Sequence, residues 1–292
     1  MTMELILDAR NTLGEGILWD DRRQRLLWTD IEGSELWSYV PETGFTKRWV
    51  LRERLCSMAL TGRDERLLLG FASGLSFFDI ATGTFERLHD VEPHLPTTRL
   101  NDGRVDREGR FVFGMFNQAE NPKHPVGGFY RLNRDLSLEA LPLGGVAIAN
   151  SICFSPDGRT MYYADSGTRA IRCCDYARDG TVSHQRVFAQ PDAAAGDPDG
   201  STVDAEGFLW NARWGAGQVV RFAPDGRIDR ILPLPALQPT CVAFGGPDLD
   251  MLYATSATVG LADPAAGAGG LFARRLDVRG LPEERFGCAT DA

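Results

Sequence analysis

Five side chains in this sequence are of kinds that do chemistry, and each stands where a plainer residue would serve: Glu15, Arg99, Asn101, Asn150 and Asp199. Glu15 lies between glycines in Leu13-Gly-Glu-Gly16, which permit unusual backbone angles and close approach. Arg99, Asn101 and Asp102 crowd into the positions just before Gly103, a costly polar set to place ahead of a buried strand. Asn150 precedes Ser151-Ile-Cys-Phe154, and Asp199 sits in Asp197-Pro-Asp-Gly200. Brought together, two carboxylates and an amide oxygen make a hard, doubly negative oxygen site that suits a divalent cation and leaves room for water and substrate. Calcium, magnesium, manganese and in some sites zinc or iron share such ligands, so the set does not choose among them. Taken singly, Asp and Asn before Gly are also favoured in β-turns. Glu15 is least well explained that way.

The elements that must position these groups follow from a repeat. Six segments share one form: a turn rich in Asp and Gly, an apolar strand, a second turn and another strand. Ile17-Leu-Trp-Asp-Asp21 with Arg25-Leu-Leu-Trp-Thr-Asp30 begins the series, and Met58-Ala-Leu-Thr-Gly62 with Arg66-Leu-Leu-Leu-Gly70 continues it. Val105-Asp-Arg-Glu-Gly-Arg-Phe-Val-Phe-Gly114, Ile152-Cys-Phe-Ser-Pro-Asp-Gly158, Thr202-Val-Asp-Ala-Glu-Gly207 and Cys241-Val-Ala-Phe-Gly-Gly246 open the other four. Their spacing of roughly 40 to 50 residues is that of propeller blades, each a four-stranded antiparallel sheet that cannot bury both faces alone. The spacing predicts an all-β chain, a six-bladed β-propeller forming one domain over 1–292, with Glu4-Leu-Ile-Leu-Asp8 closing the last blade. A linear solenoid competes, but neither end carries a polar capping repeat. In a ring the innermost strand of each blade lines a central channel, so Glu15, Asn101, Asn150 and Asp199, at the starts of such strands, would gather at one mouth. The Gly/Ala/Pro-rich stretch from Leu261 to Gly270 reads as a loop of the sixth unit, a candidate rim over one mouth.

Composition narrows the function classes. A net charge of −9 with no basic run argues against a nucleic-acid partner. The start Met-Thr-Met-Glu-Leu-Ile-Leu lacks the features of a secretion signal, and no apolar run reaches membrane-spanning length, which predicts a cytoplasmic protein without membrane contact. The six cysteines show no C-x-x-C spacing and read as reduced, buried thiols. His89, His94, His124 and His184 form no zinc motif, and there is no G-x-S-x-G or phosphate-binding glycine loop. Trp19, Trp28, Trp37 and Trp210 read as core, whereas Trp214 fits either blade packing or a channel wall where an aromatic face meets a sugar ring.

Together, Leu13-Gly-Glu-Gly16 with Ile-Leu-Trp-Asp20, Arg99-Leu-Asn-Asp-Gly103 with the strand after it, Asn150 with Phe-Ser-Pro-Asp-Gly158, and Pro198-Asp-Gly200 with Val-Asp-Ala-Glu-Gly207 resemble the SMP-30/gluconolactonase (regucalcin) family. The resemblance implies a six-bladed propeller that hydrolyses sugar lactones at a divalent metal held by Glu15, Asn150 and Asp199, with Arg99 and Asn101 contacting substrate. The family usually has Gly after the metal-binding Asn; here Ser151 stands there, and its backbone is less free. The family's acidic substrate contact after a G-T-M turn has a near counterpart in Glu120 of Gly114-Met-Phe-Asn-Gln-Ala-Glu120, without clear alignment. The reading is a metal-dependent aldonolactonase in which Asp199 is the general base and Arg99 and Asn101 orient the sugar. A scaffolding propeller and a calcium-binding protein without turnover are the alternatives.

Overall fold

The computed structural model describes residues 2–119 and 122–287. Among them are 24 strands and two short 3-10 turns, and the strands form six antiparallel sheets of four. The blades are built in chain order over 14–50, 55–90, 98–140, 149–189 and 197–233, each pairing strictly with its sequence neighbours. The sixth takes three strands from 239–275 and its outermost one, Glu4–Leu7, from the other end of the chain, paired against Leu271–Arg275.

Within a blade the first three strands are apolar on both faces because neighbouring blades cover both. Arg25–Asp30 and Arg66–Phe71 are buried in all but their first residue. The fourth strand is different: Phe45–Val50 and Thr84–Asp90 contain no fully buried residue. These outer strands lack the apolar run that marked the other three. The turn joining the first two strands is fixed by an aspartate that acts on the backbone: Asp106 Oδ1 accepts from the N–H groups of Glu108 and Arg110, and Asp204 Oδ1 from those of Glu206 and Phe208.

Six apolar clusters hold the ring, one at each blade-to-blade seam. The seam between the first and last blades packs Ile17, Trp19 and Trp28 against Cys241, Tyr253 and Leu271, so closure uses the same apolar burial as every other joint. Trp19, Trp28 and Trp210 are core; Trp37 is half-buried and stacks on Trp28 with centroids 5.5 Å apart.

After the last blade the chain crosses one end of the ring. Ala205 N–H donates to Arg279 O, Arg104 pairs with Glu283, and Phe286, fully buried, donates its N–H to Leu60 O. This strap touches the fifth, third and second blades and covers the channel mouth on that side. The stretch from Leu261 to Gly270 follows Ser256, which pairs with Pro239 at the opposite end of the sixth blade; Val259 just before it lines the channel there, and Gly267 and Gly270 lie against Leu5.

Every innermost strand carries the same irregularity. Register slips between Glu15 and Leu18, Leu55 and Ser57, Leu100 and Gly103, Asn150 and Cys153, Pro198 and Ser201, and Pro239 and Val242. Each slip adds one residue opposite the second strand, a β-bulge of the kind that re-aims a side chain. The sequence places Glu15, Asn101, Asn150 and Asp199 before their strands; they lie inside them, at or beside the bulge, because the strand continues through the irregularity.

Candidate functional site

Counting back five residues from Asp20, Thr61, Asp106, Ser155, Asp204 and Gly245, where the innermost strands reach their turns, lands on Glu15, Cys56, Asn101, Asn150, Asp199 and Thr240. These are the equivalent positions of the six blades. Glu15, Asn101, Asn150 and Asp199, with Arg99, line one cavity of about 330 Å³ at the mouth opposite the strap. All five sequence candidates therefore meet. Trp214, Phe116, Ile148, Leu13 and Val259 supply apolar wall, and Glu32, Ser166 and Asp197 supply further polar groups. Trp214 resolves as a wall residue. Phe116, Glu32 and Ser166 carried no signal in the repeat, since they come from loops and second strands; Cys56 and Thr240 read as ordinary strand residues. Glu120 lies outside the described residues. No histidine reaches the cavity: His94, His124 and His184 are exposed, and His89 Nε2 lies 2.6 Å from Leu136 O.

The amides are held in fixed senses. Asn101 Nδ2 donates to Ala149 O at 2.7 Å, which turns its Oδ1 toward Arg99 Nη1. Asn150 Nδ2 donates to Ser166 Oγ at 2.8 Å, and its Oδ1 accepts only a longer contact, 3.2 Å, from Asn101. Arg99 is buried, with its guanidinium 4.4 Å over the Phe116 ring. Nη1 also donates to Leu100 O, while Nε has no partner within the protein. An unpartnered buried donor is costly.

The carboxyl groups are crowded. Burial, and then the charge of Asp102 nearby, pushes Glu15 up to about 8. Asp199 moves the same way, through burial and then the charges of Glu15 and Asp102, so the carboxyls crowd one another. Asp102, one position further along its strand, is also raised by burial and accepts from Ile152 N–H at 2.8 Å. The nearest guanidiniums are engaged elsewhere, Arg99 with Asn101 and Arg104 with Glu283 and Ser201 O. A hard divalent cation among these groups fits both the charge and the oxygen chemistry of Glu15, Asp199 and Asn150 Oδ1. Among the described residues no three His, Cys, Asp or Glu side chains are grouped to hold a metal ion; this set draws its third oxygen from an amide.

Ser151 departs from expectation. Its φ is +60°, matching Gly16 at +59° in the equivalent place of the first blade. The left-handed backbone is kept without glycine, at a cost of about 1 kcal/mol, because the hydroxyl donates to Asp199 O at 2.6 Å and accepts from Asn211 Nδ2 at 3.1 Å. The five described cysteines are buried free thiols, and Cys288 lies outside the described residues. No helix among the described residues is long and apolar enough to cross a membrane.

Known proteins resemble this chain in sequence and in fold. Residues 13–258 match the SMP-30/Gluconolactonase/LRE-like region. The chain is 50% identical over 287 residues to an L-arabinolactonase of Azospirillum brasilense, covering 97% of this chain and 94% of that one. It is 34% identical to a pentonolactonase of Haloferax volcanii, covering 98% of each. A crystal structure of the calcium-binding protein regucalcin from Agrobacterium tumefaciens superposes with a TM-score of 0.91 at 31% identity, covering 98% of this chain and 97% of that one.

Proposed function

From the fact that the chain belongs to the SMP-30/gluconolactonase/LRE-like family, we propose that it is a sugar lactonase that opens an aldonolactone to the aldonic acid at a divalent cation held by Glu15, Asn150 and Asp199. The observation that carries the metal half of this reading is the convergence of two carboxyls, Glu15 and Asp199, and the Asn150 amide on the wall of one cavity of about 330 Å³. That volume suits a single sugar ring, and Trp214 offers it an aromatic face.

When bound, the cation would hold both carboxylates ionised and draw electron density from the lactone carbonyl. Arg99 and Asn101, both on the cavity wall, would orient the sugar by hydrogen bonds to its carbonyl or hydroxyls. Asp199 would take a proton from the attacking water as its oxygen bonds to the carbonyl carbon, then return that proton to the ring oxygen as the ester C–O bond breaks. Water and lactone are thereby converted to acid with no other reactant. Sugar lactones are reactive esters, so one base and three positioned ligands meet a modest demand. A protein that only bound calcium would have no use for a cavity walled by Trp214 and Phe116 with the Arg99 guanidinium set beside them.

The test is a panel of five- and six-membered aldonolactones assayed with calcium, magnesium, manganese, zinc and iron, before and after chelation. Hydrolysis should vanish on chelation, return with one or more cations, and leave the β-sheet circular dichroism unchanged. Full activity in protein shown by elemental analysis to be metal-free would sink the metal half of the proposal; no activity on any lactone would sink the other half.

A further inference from the structure

Two serine hydroxyls tie the strand bearing Asn150 to the strand bearing Asp199, and one of them decides which end of the Asn150 amide faces the cavity. Ser166 Oγ donates to Pro198 O at 2.7 Å. A backbone carbonyl can only accept, so this bond consumes the single hydroxyl proton and leaves Ser166 Oγ as an acceptor. The neighbouring amide must therefore present its NH₂, and Asn150 Nδ2 does so at 2.8 Å. Its Oδ1 is turned away, where it meets only the 3.2 Å contact from Asn101. Ser166 is buried, 7% exposed, in the short turn Ser166–Thr168 that follows the second strand of the fourth blade. It is anchored by its own N–H donating to Ile148 O.

We infer that Ser166 is a positioning residue for cation binding: by fixing the sense of the Asn150 amide it keeps an oxygen, and not an NH₂, toward Glu15 and Asp199. The inference rests on the metal reading above. Without the hydroxyl, only the 3.2 Å contact from Asn101 Nδ2 favours the present sense of the amide, and the orientation with NH₂ toward the cavity opposes a cation. Asn150→Asp removes the asymmetry, because both ends of a carboxylate are oxygens and no orientation is wrong.

The experiment is calorimetric titration of the metal-free protein with calcium and manganese, on wild type, Ser166→Ala, Ser166→Thr, Asn150→Asp and the double variant Asn150→Asp/Ser166→Ala. Ser166→Ala should bind about tenfold more weakly, the usual loss when a ligand's supporting hydrogen bond is removed, while Ser166→Thr, which keeps the hydroxyl, stays near wild type. In the Asn150→Asp background the Ser166→Ala change should cost little more, a non-additivity that a general loosening of the strands does not produce. Wild-type affinity in Ser166→Ala would overturn the inference and leave the function standing. So would an equal loss on both backgrounds, which would assign Ser166 to holding Pro198 alone. A wild-type protein that takes up no divalent cation would remove this inference and the metal half of the proposed function together, while lactone hydrolysis is read independently.

Discussion

Asp199 is assigned two tasks, ligand and base, and one substitution separates them. Asp199→Asn keeps the shape while removing charge and basicity, so cation affinity should fall. Saturating cation should repair only that defect, and turnover should remain reduced by about a hundredfold, the scale for loss of a general base. Near-normal kcat at full occupancy would make Asp199 a ligand only and send the search for a base to Glu15 and Asp102. Glu15 makes a second prediction through its protonation. Its folded value of about 8 stands above its ordinary 4.5, so between those pH values the folded protein holds a proton that the unfolded chain has released. Stability is therefore withdrawn as pH rises through that window and the loss is complete above about 8; the shift of Asp199 has the same sign. The Tm of metal-free protein should fall from pH 5 to 8 more steeply than that of Glu15→Gln, and added cation should raise Tm more at pH 8 than at pH 6. Parallel Tm curves for the two proteins would contradict the assignment. Much of this chemistry was legible in the sequence, because Glu15, Asn101, Asn150 and Asp199 are polar where an apolar strand is starting. Ser166 was not legible: a serine after a strand looks like any turn residue, and its role comes from a carbonyl 32 positions away.

The strands show why the site residues can be both inside a sheet and aimed at a channel. A regular strand alternates its faces, and the bulge after Glu15, Asn150 and Pro198 breaks that alternation where the channel requires it. Close approach of neighbouring strands is part of the same design. A Cβ on Gly200 would lie 2.5 Å from Cys241 Sγ and 2.8 Å from Cys241 Cα, and the second of these is backbone that cannot step aside. Gly200→Ala should thus force the fifth and sixth blades apart beside Asp199, costing about 1–3 kcal/mol and weakening cation binding, as thermal denaturation and calorimetry would report. Unchanged Tm and affinity would mean that the seam has slack. The turn aspartates Asp106 and Asp204 and the three apolar strands of each blade were readable from the repeated turn-and-strand pattern. The fourth strands were not, since one covered face and one wet edge leave only a faint alternation, and neither were the bulges, which depend on pairing and not on residue type.

The ring as a whole was foreseeable from its period, for six equal units with apolar faces have few ways to bury them except against one another. Its closing tail was not, because the order of residues 279–287 resembles surface loop, and only the fold brings Glu283 to Arg104 and Phe286 to Phe77. That tail gives the channel a floor. A ring of blades is naturally a tunnel; this one is a well. Under the proposed function, lactone would enter and aldonate leave on the side opposite that floor, where Trp214 and Glu32 line the cavity, so the two would compete for one passage. Each turnover would have to empty the well before the next could begin, and accumulating acid is expected to slow its own formation, which initial rates with added aldonate would show.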